Sequence, residues 1–288
     1  MLIPGGTCGQ ARARCRAARS ARRLPEAAQS RTIRVERAAG ARTPVSPLPM
    51  QIAHPDPGPL ARDLDVLAGQ VAFDRARIVE LGCGRAELTR ALATRFPDAR
   101  ISALEVDRVQ HAHNLGIADL PNVVFGYGGA EAIPLPDAAV DVVLMAKSLH
   151  HVPVGAMDAA LREIARVLVP GGLAAFSEPV YAGEFNAVMS IFHDEREVRE
   201  AAFAALQRAV AGGMFELVSE TFHTAVRQYA DFEDFERRMI GVTHTEHRLS
   251  AAQLDAVRER FGRSMTPAGA CFHQPMRIDV LRRRSGAA

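Results

Sequence analysis

The sequence predicts an α/β fold, a doubly wound, mostly parallel sheet with helices on both faces, and three observations carry that expectation. Short apolar runs alternate with stretches of helical period, the pattern of strand–helix–strand units. The first run, Arg77-Ile-Val-Glu-Leu81, empties directly into Gly82-Cys83-Gly84, a tight turn after a buried strand. Acidic and glycine-rich positions recur where strands end, the edge at which doubly wound sheets hold ligands.

Residues 60–72 read as an amphipathic helix, with Leu60, Leu64, Leu67 and Val71 on one face. Residues 77–81 are the first strand and 87–96 the next helix. Residues 101–104 form a second strand with Glu105 and Asp107 at its carboxyl end, followed by a helix over 107–115. A third strand covers 123–125 and a fourth 140–145. A helix over 157–168, preceded by Pro153 and Gly155, stops at Pro170-Gly171-Gly172, and 173–177 is the fifth strand. Beyond it, 185–210 reads as one or two helices, 215–229 as a sixth strand, 232–240 and 250–261 as helices, and 276–281 as the last strand, antiparallel. The expectation is a seven-stranded sheet with helical insertions after the fifth strand, at about 182–213 and 231–262.

Composition excludes several functions. The chain has 288 residues, 48% apolar and 24% charged, the balance of a globular domain with a sizeable core. No apolar run approaches the roughly 20 residues of a membrane span. Cys8, Cys15, Cys83 and Cys271 show no CxxC spacing, so neither a disulfide framework nor a Cys-rich zinc site is expected, and a cytoplasmic location is. Residues 1–50 carry ten arginines against Glu26 and Glu36, whereas residues 51–288 hold 25 basic against 31 acidic side chains. That acidic body argues against nucleic-acid binding. The Ala/Arg-rich segment 1–50 has no sustained apolar period and is expected to be disordered. It reads as a transit peptide, a nucleic-acid arm, or upstream sequence translated ahead of a true start at Met50; arginine outnumbers the single lysine 34 to 1, as a GC-rich coding sequence would give.

In the turn after the first strand, two glycines bring backbone N–H groups close to a ligand at a helix start. A dinucleotide fingerprint would need glycine where Glu87 stands. Glu80, just before the glycines, suits the cationic end of a ligand, such as an amino group.

With these residues the chain resembles the class I S-adenosylmethionine-dependent methyltransferases, a Rossmann-like family, and within them the type 11 branch. Glu80, Gly82 and Gly84 match the first motif, with Ala86 in place of a third glycine. Glu105 falls on the acid that holds the ribose hydroxyls, and Val106 on the residue that packs on adenine. Gly128-Gly-Ala-Glu-Ala-Ile-Pro134, the fourth strand with Leu149-His-His-Val152, and Leu161–Gly172 match further segments, so the resemblance spans about 75–178. It implies S-adenosyl-L-methionine as cofactor and Glu80, Gly82, Cys83, Gly84, Glu105, Val106, Gly129, Ala130, Glu131 and Ala146 as its binding residues. Gly129 stands where relatives carry an acid for the adenine amino group, a loss worth about 1–3 kcal/mol unless another acceptor substitutes.

On the acceptor side the candidates are Lys147, the chain's only lysine, with His151, His193, His244 and His247. Lysine shifts its pKa readily when buried and histidine is the usual base near neutrality. His244 and His247, taken together with His193, raise a metal site, but no HExxH is present and no metal is expected. The Asn/Asp-Pro-Pro-aromatic segment of amino-group methylases of nucleic acids is missing at Ala146-Lys-Ser-Leu149. The expected function is therefore methyl transfer to a small molecule by in-line displacement. The alternative is an inactive cofactor-binding or interaction protein on the same fold.

Overall fold

The computed structural model describes residues 50–242 and 247–286. The expected extension before Met50, and the question of its start, lie outside the described residues.

Five parallel strands form the sheet's centre and one flank: β1 (Arg77–Leu81), β2 (Arg100–Glu105), β3 (Val123–Tyr127), β4 (Val140–Ala146) and β5 (Leu168–Pro179). Three later strands complete it: β6 (Phe215–Tyr229), β7 (Met265–Thr266) and β8 (Gly269–Arg283). The order is β3-β2-β1-β4-β5-β8-β6, with β8 antiparallel to both neighbours and to the two-residue β7. The antiparallel last strand is as expected; the short β7 makes eight strands rather than seven. The chain runs outward from β1 to β3 and then crosses back to β4, so the order reverses between β1 and β4. Open α/β sheets take their ligands at the carboxyl ends of the strands beside such a reversal.

The helices are α1 (Asp63–Ala68), α2 (Glu87–Arg95), α3 (Arg108–Asn114), α4 (Met157–Val167), α5 (Gly183–Met189), α6 (Arg196–Ala211), α7 (Phe232–Phe235) and α8 (Ala251–Gly262). Strand alternation sorts the core into two layers. On one face Ile78, Val142, Leu144 and Ile278 meet Leu64 and Leu67 of α1 and Leu92 of α2. On the other, Val79, Leu81 and Val143 meet Leu161 and Ile164 of α4 and Leu206 of α6. A third, aromatic cluster joins Phe185 of α5, Tyr229, Phe232, Phe235, Phe261 of α8 and Phe272 of β8. Ser250 and Gln253 close a capping box at the start of α8. No helix among the described residues is long and apolar enough to cross a membrane.

Several expected boundaries move; the last strand, for one, spans Gly269–Arg283 rather than 276–281. The helix foreseen from Leu60 begins only at Asp63, because Pro57 and Pro59 hold the chain before it extended. That stretch runs beside edge strand β6 instead: Thr224 N–H donates to Pro59 O at 2.9 Å and Ala61 N–H to Thr224 O at 3.0 Å. Leu60 is consequently exposed rather than on the buried face. The helix foreseen over 157–168 ends at Val167, and Leu168, paired with Val140, already opens β5, which spans 168–179 rather than 173–177.

The aromatic cluster supports α5, α7 and α8 against the sheet. Phe261 is 1% exposed and lies against Tyr229, Phe232, Phe235 and Phe272. Phe261→Ala is expected to lower unfolding stability by about 3–5 kcal/mol, read as a shifted denaturant midpoint.

Candidate active site

β1 ends in a loop whose shape depends on positive backbone angles. Gly82 has φ +73 and Gly84 φ +51, and Ala86, which caps α2, sits at φ 58. A Cβ on Gly82 would lie 2.7 Å from Ser148 Cβ, so only glycine fits there. A Cβ on Gly84 would meet no atom within 4 Å, so that side of the loop is open. Gly82 and Cys83 N–H both donate to Leu104 O, at 2.9 and 3.0 Å.

Glu105, at the end of β2, ties this loop to the neighbouring strand. Its Oε2 accepts from Gly84 N–H at 2.7 Å, and its Oε1 from Val106 and Asp107 N–H at 2.7 and 2.9 Å. A carboxylate offers about four lone-pair positions. Three are taken, which leaves one on Oε2. Val106 beside it is 55% exposed, an apolar surface at the rim of the site. Asn114 of α3, which the sequence reading did not single out, clamps the loop from below. Its Nδ2 donates to Gly84 O at 2.8 Å and lies 3.4 Å from the Cys83 sulfur. Burial pushes the Cys83 thiol up, so it stays protonated and serves as packing.

Glu80 lies on the face that carries α1 and α2 and is 2% exposed. Thr89 Oγ1 of α2 donates to its Oε2 at 2.6 Å. Burial raises its pKa to about 7, against the Thr89 hydrogen bond and the charge of Lys147. Lys147 follows β4 with φ 57, its N–H donating to Ser177 O at 2.7 Å. Its Nζ donates to Asp63 Oδ2 of α1 at 3.2 Å, and His223 Nε2 of β6 donates to the other oxygen at 2.9 Å. The only lysine is thus one arm of a Lys147–Asp63–His223 triad. Asp63's pKa is lowered: burial raises it, and the His223 and Lys147 interactions outweigh that.

In the turn after β3, the space a side chain on Gly129 would need is filled by the Glu131 carboxylate, closer than any real Cβ contact allows, with Val106 Cγ1 at 3.2 Å. Ala130 is buried in the core beneath this turn, and Ala146 is half-buried at the end of β4.

The candidate histidines gather on the opposite face of the sheet. His150 is buried and pairs with Glu178 of β5, whose other oxygen accepts from Leu149 N–H at 2.9 Å. Burial alone would lower the His150 pKa, but Glu178 and Glu195 raise it to about 9. His151 is exposed and its ring lies 4.3 Å from that of His150. His193 Nε2 is 2.9 Å from Glu195 Oε1, and the His247 ring packs edge-on at 4.8 Å from His193. His151 and His193 therefore meet at the Glu195 carboxylate, which the sequence did not single out, and His247 packs on His193. His244 lies outside the described residues. A separate cavity of about 640 Å³, lined by Asp137, Arg162, Arg166, Met214 and Arg284, sits at the amino edge of the parallel strands, away from the glycine loop.

Comparison with known proteins places this geometry. Residues 78–172 match the family model described as a methyltransferase domain. Residues 78–172 form a methyltransferase domain of the class I, S-adenosylmethionine-dependent kind. The chain is 36% identical over 121 residues to the 27-O-demethylrifamycin SV methyltransferase of Amycolatopsis mediterranei, covering 40% of this chain and 43% of that one. It is 31% identical over 116 residues to the fatty-acid O-methyltransferase of Mycolicibacterium smegmatis, covering 38% and 40%. The chain thus spans less than half the length of the curated relatives it matches. A putative methyltransferase structure from Bacillus halodurans superposes with a TM-score of 0.51 at 15% identity, covering 77% of this chain and 99% of that one, and shows the same fold. The family cofactor suits the residues of this methyltransferase domain. The loop is open at Gly84, Glu105 Oε2, which accepts from Gly84 N–H, has one acceptor position left, and apolar Val106 is exposed next to Glu105.

Glu80 sets a pH dependence. The folded domain holds this proton to about pH 7, whereas the unfolded chain releases it near 4.5, so the native state binds more protons between those values. Unfolding free energy is expected to fall as pH rises from 4.5 to 7, and Glu80→Gln is expected to flatten that slope in denaturant titrations across the interval.

Proposed function

We propose that the protein transfers the methyl group of S-adenosylmethionine to a small-molecule acceptor by in-line displacement. The observation that carries this reading is the meeting of Glu80, the Gly82–Gly84 loop and Glu105 at the carboxyl edge, beside the point where the strand order reverses. The bound sulfonium supplies a methyl already activated for transfer. The chain then has to align the acceptor and keep water out.

In this reading Glu105 receives a ribose hydroxyl on Oε2, and Val106 packs against the adenine. Glu131, occupying the place of a side chain at 129, accepts from the adenine amino group that an acid at Gly129 would otherwise receive. Glu80 faces the cofactor's ammonium, while Gly82, Cys83, Gly84, Ala130 and Ala146 shape the walls. Lys147, paired to Asp63, offers the acceptor a positive charge and hydrogen-bond donors. The helices α5 to α8 with His151, His193 and His247 form the acceptor side. The acidic body of residues 51–288 and relatives named for rifamycin and fatty-acid methylation support a small molecule over a nucleic acid.

Calorimetric titration of the full chain with S-adenosylhomocysteine tests the reading. Micromolar binding is expected, abolished in a folded Glu105→Ala protein; a folded wild-type chain that does not bind would leave an interaction protein on this fold. Glu131→Ala is expected to weaken binding by roughly 5- to 150-fold, the loss of one hydrogen bond worth about 1–3 kcal/mol. Binding is also expected to release a proton below pH 7, as the arriving ammonium favours ionised Glu80, and to strengthen as pH rises to 7. Glu80→Gln should remove that release, read from titrations in buffers of different ionisation enthalpy.

A further inference from the structure

Four imidazoles and two carboxylates converge where β4 and β5 end, on the face that carries α4 and α6. One ligand atom from each of His150, His151 and Glu195 lies within 4.8 Å of the others. His150 uses Nδ1 toward Glu178, which leaves Nε2 pointing at Glu195 Oε1, 3.6 Å away. His193 Nε2 reaches the same oxygen at 2.9 Å. We propose that His150, His151 and Glu195, with His193 adjoining, form a binding site for a divalent transition-metal ion.

Three features carry the proposal. Ligands about 2.0–2.2 Å from a tetrahedral ion sit roughly 3.3–3.6 Å from one another; the 3.6 Å between His150 Nε2 and Glu195 Oε1 falls at that spacing, and all three ligand atoms lie within 4.8 Å of one another. The Glu178–His150 pair is the arrangement in which a carboxylate orients a metal-ligating imidazole and sets its tautomer. Arg199 Nη2 holds Glu195 Oε2 at 2.5 Å, so the carboxylate is anchored with Oε1 turned inward. Imidazole nitrogens with one carboxylate suit Zn²⁺ or Fe²⁺ rather than Mg²⁺ or Ca²⁺. Because His151 is exposed, solvent or another ligand can complete the coordination.

The test uses the full chain, stripped with chelator and titrated with Co²⁺ as a spectroscopic stand-in for Zn²⁺; it does not depend on methyl transfer. Saturable uptake of one ion per chain is expected, with visible d–d absorption and without the intense charge-transfer bands that thiolate ligation by a cysteine would give. His151→Ala, at an exposed position, is expected to weaken binding roughly 100-fold. His151→Ala combined with His193→Ala should abolish it, and His113→Ala should leave it unchanged. Absence of saturable uptake, thiolate bands, or binding that His151→Ala leaves intact in a protein with a wild-type melting temperature would overturn the site.

Discussion

The Glu105 carboxylate is the constraint on which the site depends. It accepts one N–H from the glycine loop and two from the start of its own loop, so this one side chain adds to the two backbone bonds, from Gly82 and Cys83 to Leu104 O, that join the ends of β1 and β2. Without those three acceptor contacts the loop would keep its backbone bonds to Leu104 O but lose its tie at Gly84. Asn114 restrains the loop from α3, and Ser148 Oγ, donating to Leu81 O at 2.8 Å, restrains it from the β4 side. An acid here therefore builds the loop as well as facing a ligand.

The buried acids of the carboxyl edge differ in how their charge is met. Asp63 has an ammonium and an imidazole, and Glu178 has His150. Glu80 has a hydroxyl as its hydrogen-bond partner, with Lys147 acting on it only through its charge. Burying a carboxylate without a bonded cation favours its neutral form, which is why Glu80 titrates near 7 while Asp63 is held down. Of these acids, Glu80 is the one whose state a newly arriving cation would change most.

Much of this was legible in the sequence, for physical reasons. Strands buried on both faces read as apolar runs, as at Ile78-Val79 and Val142-Val143-Leu144. Positive-φ turns demand glycine, and helix starts show their caps, as Asp107 and Ser250 do. What stayed hidden depends on residues far apart in the chain. Asp63 meets Lys147 across 84 positions and His223 across 160, and nothing local in Asp63 announces either. The helix expected from Leu60 failed because apolar spacing was weighed above two prolines. At the histidine cluster, spacing within 244–247 drew attention, whereas the fold gathers His150, His151 and His193 around Glu195. Gly129 read as a loss, since sequence alone does not show a side chain two positions on folding back into its place.

Lys147 has a consequence for how the molecule can be interrogated. As the sole lysine, it is the one peptide bond a lysine-specific protease can cut and, apart from the chain's amino terminus, the one amine an acylating reagent can modify. Its side chain is 37% exposed but tethered to a nearly buried aspartate on α1. Modification or cleavage there reports on one event, release of α1 from the end of β4, so a bulk chemical readout acquires single-position resolution at the rim of the site without any engineered label.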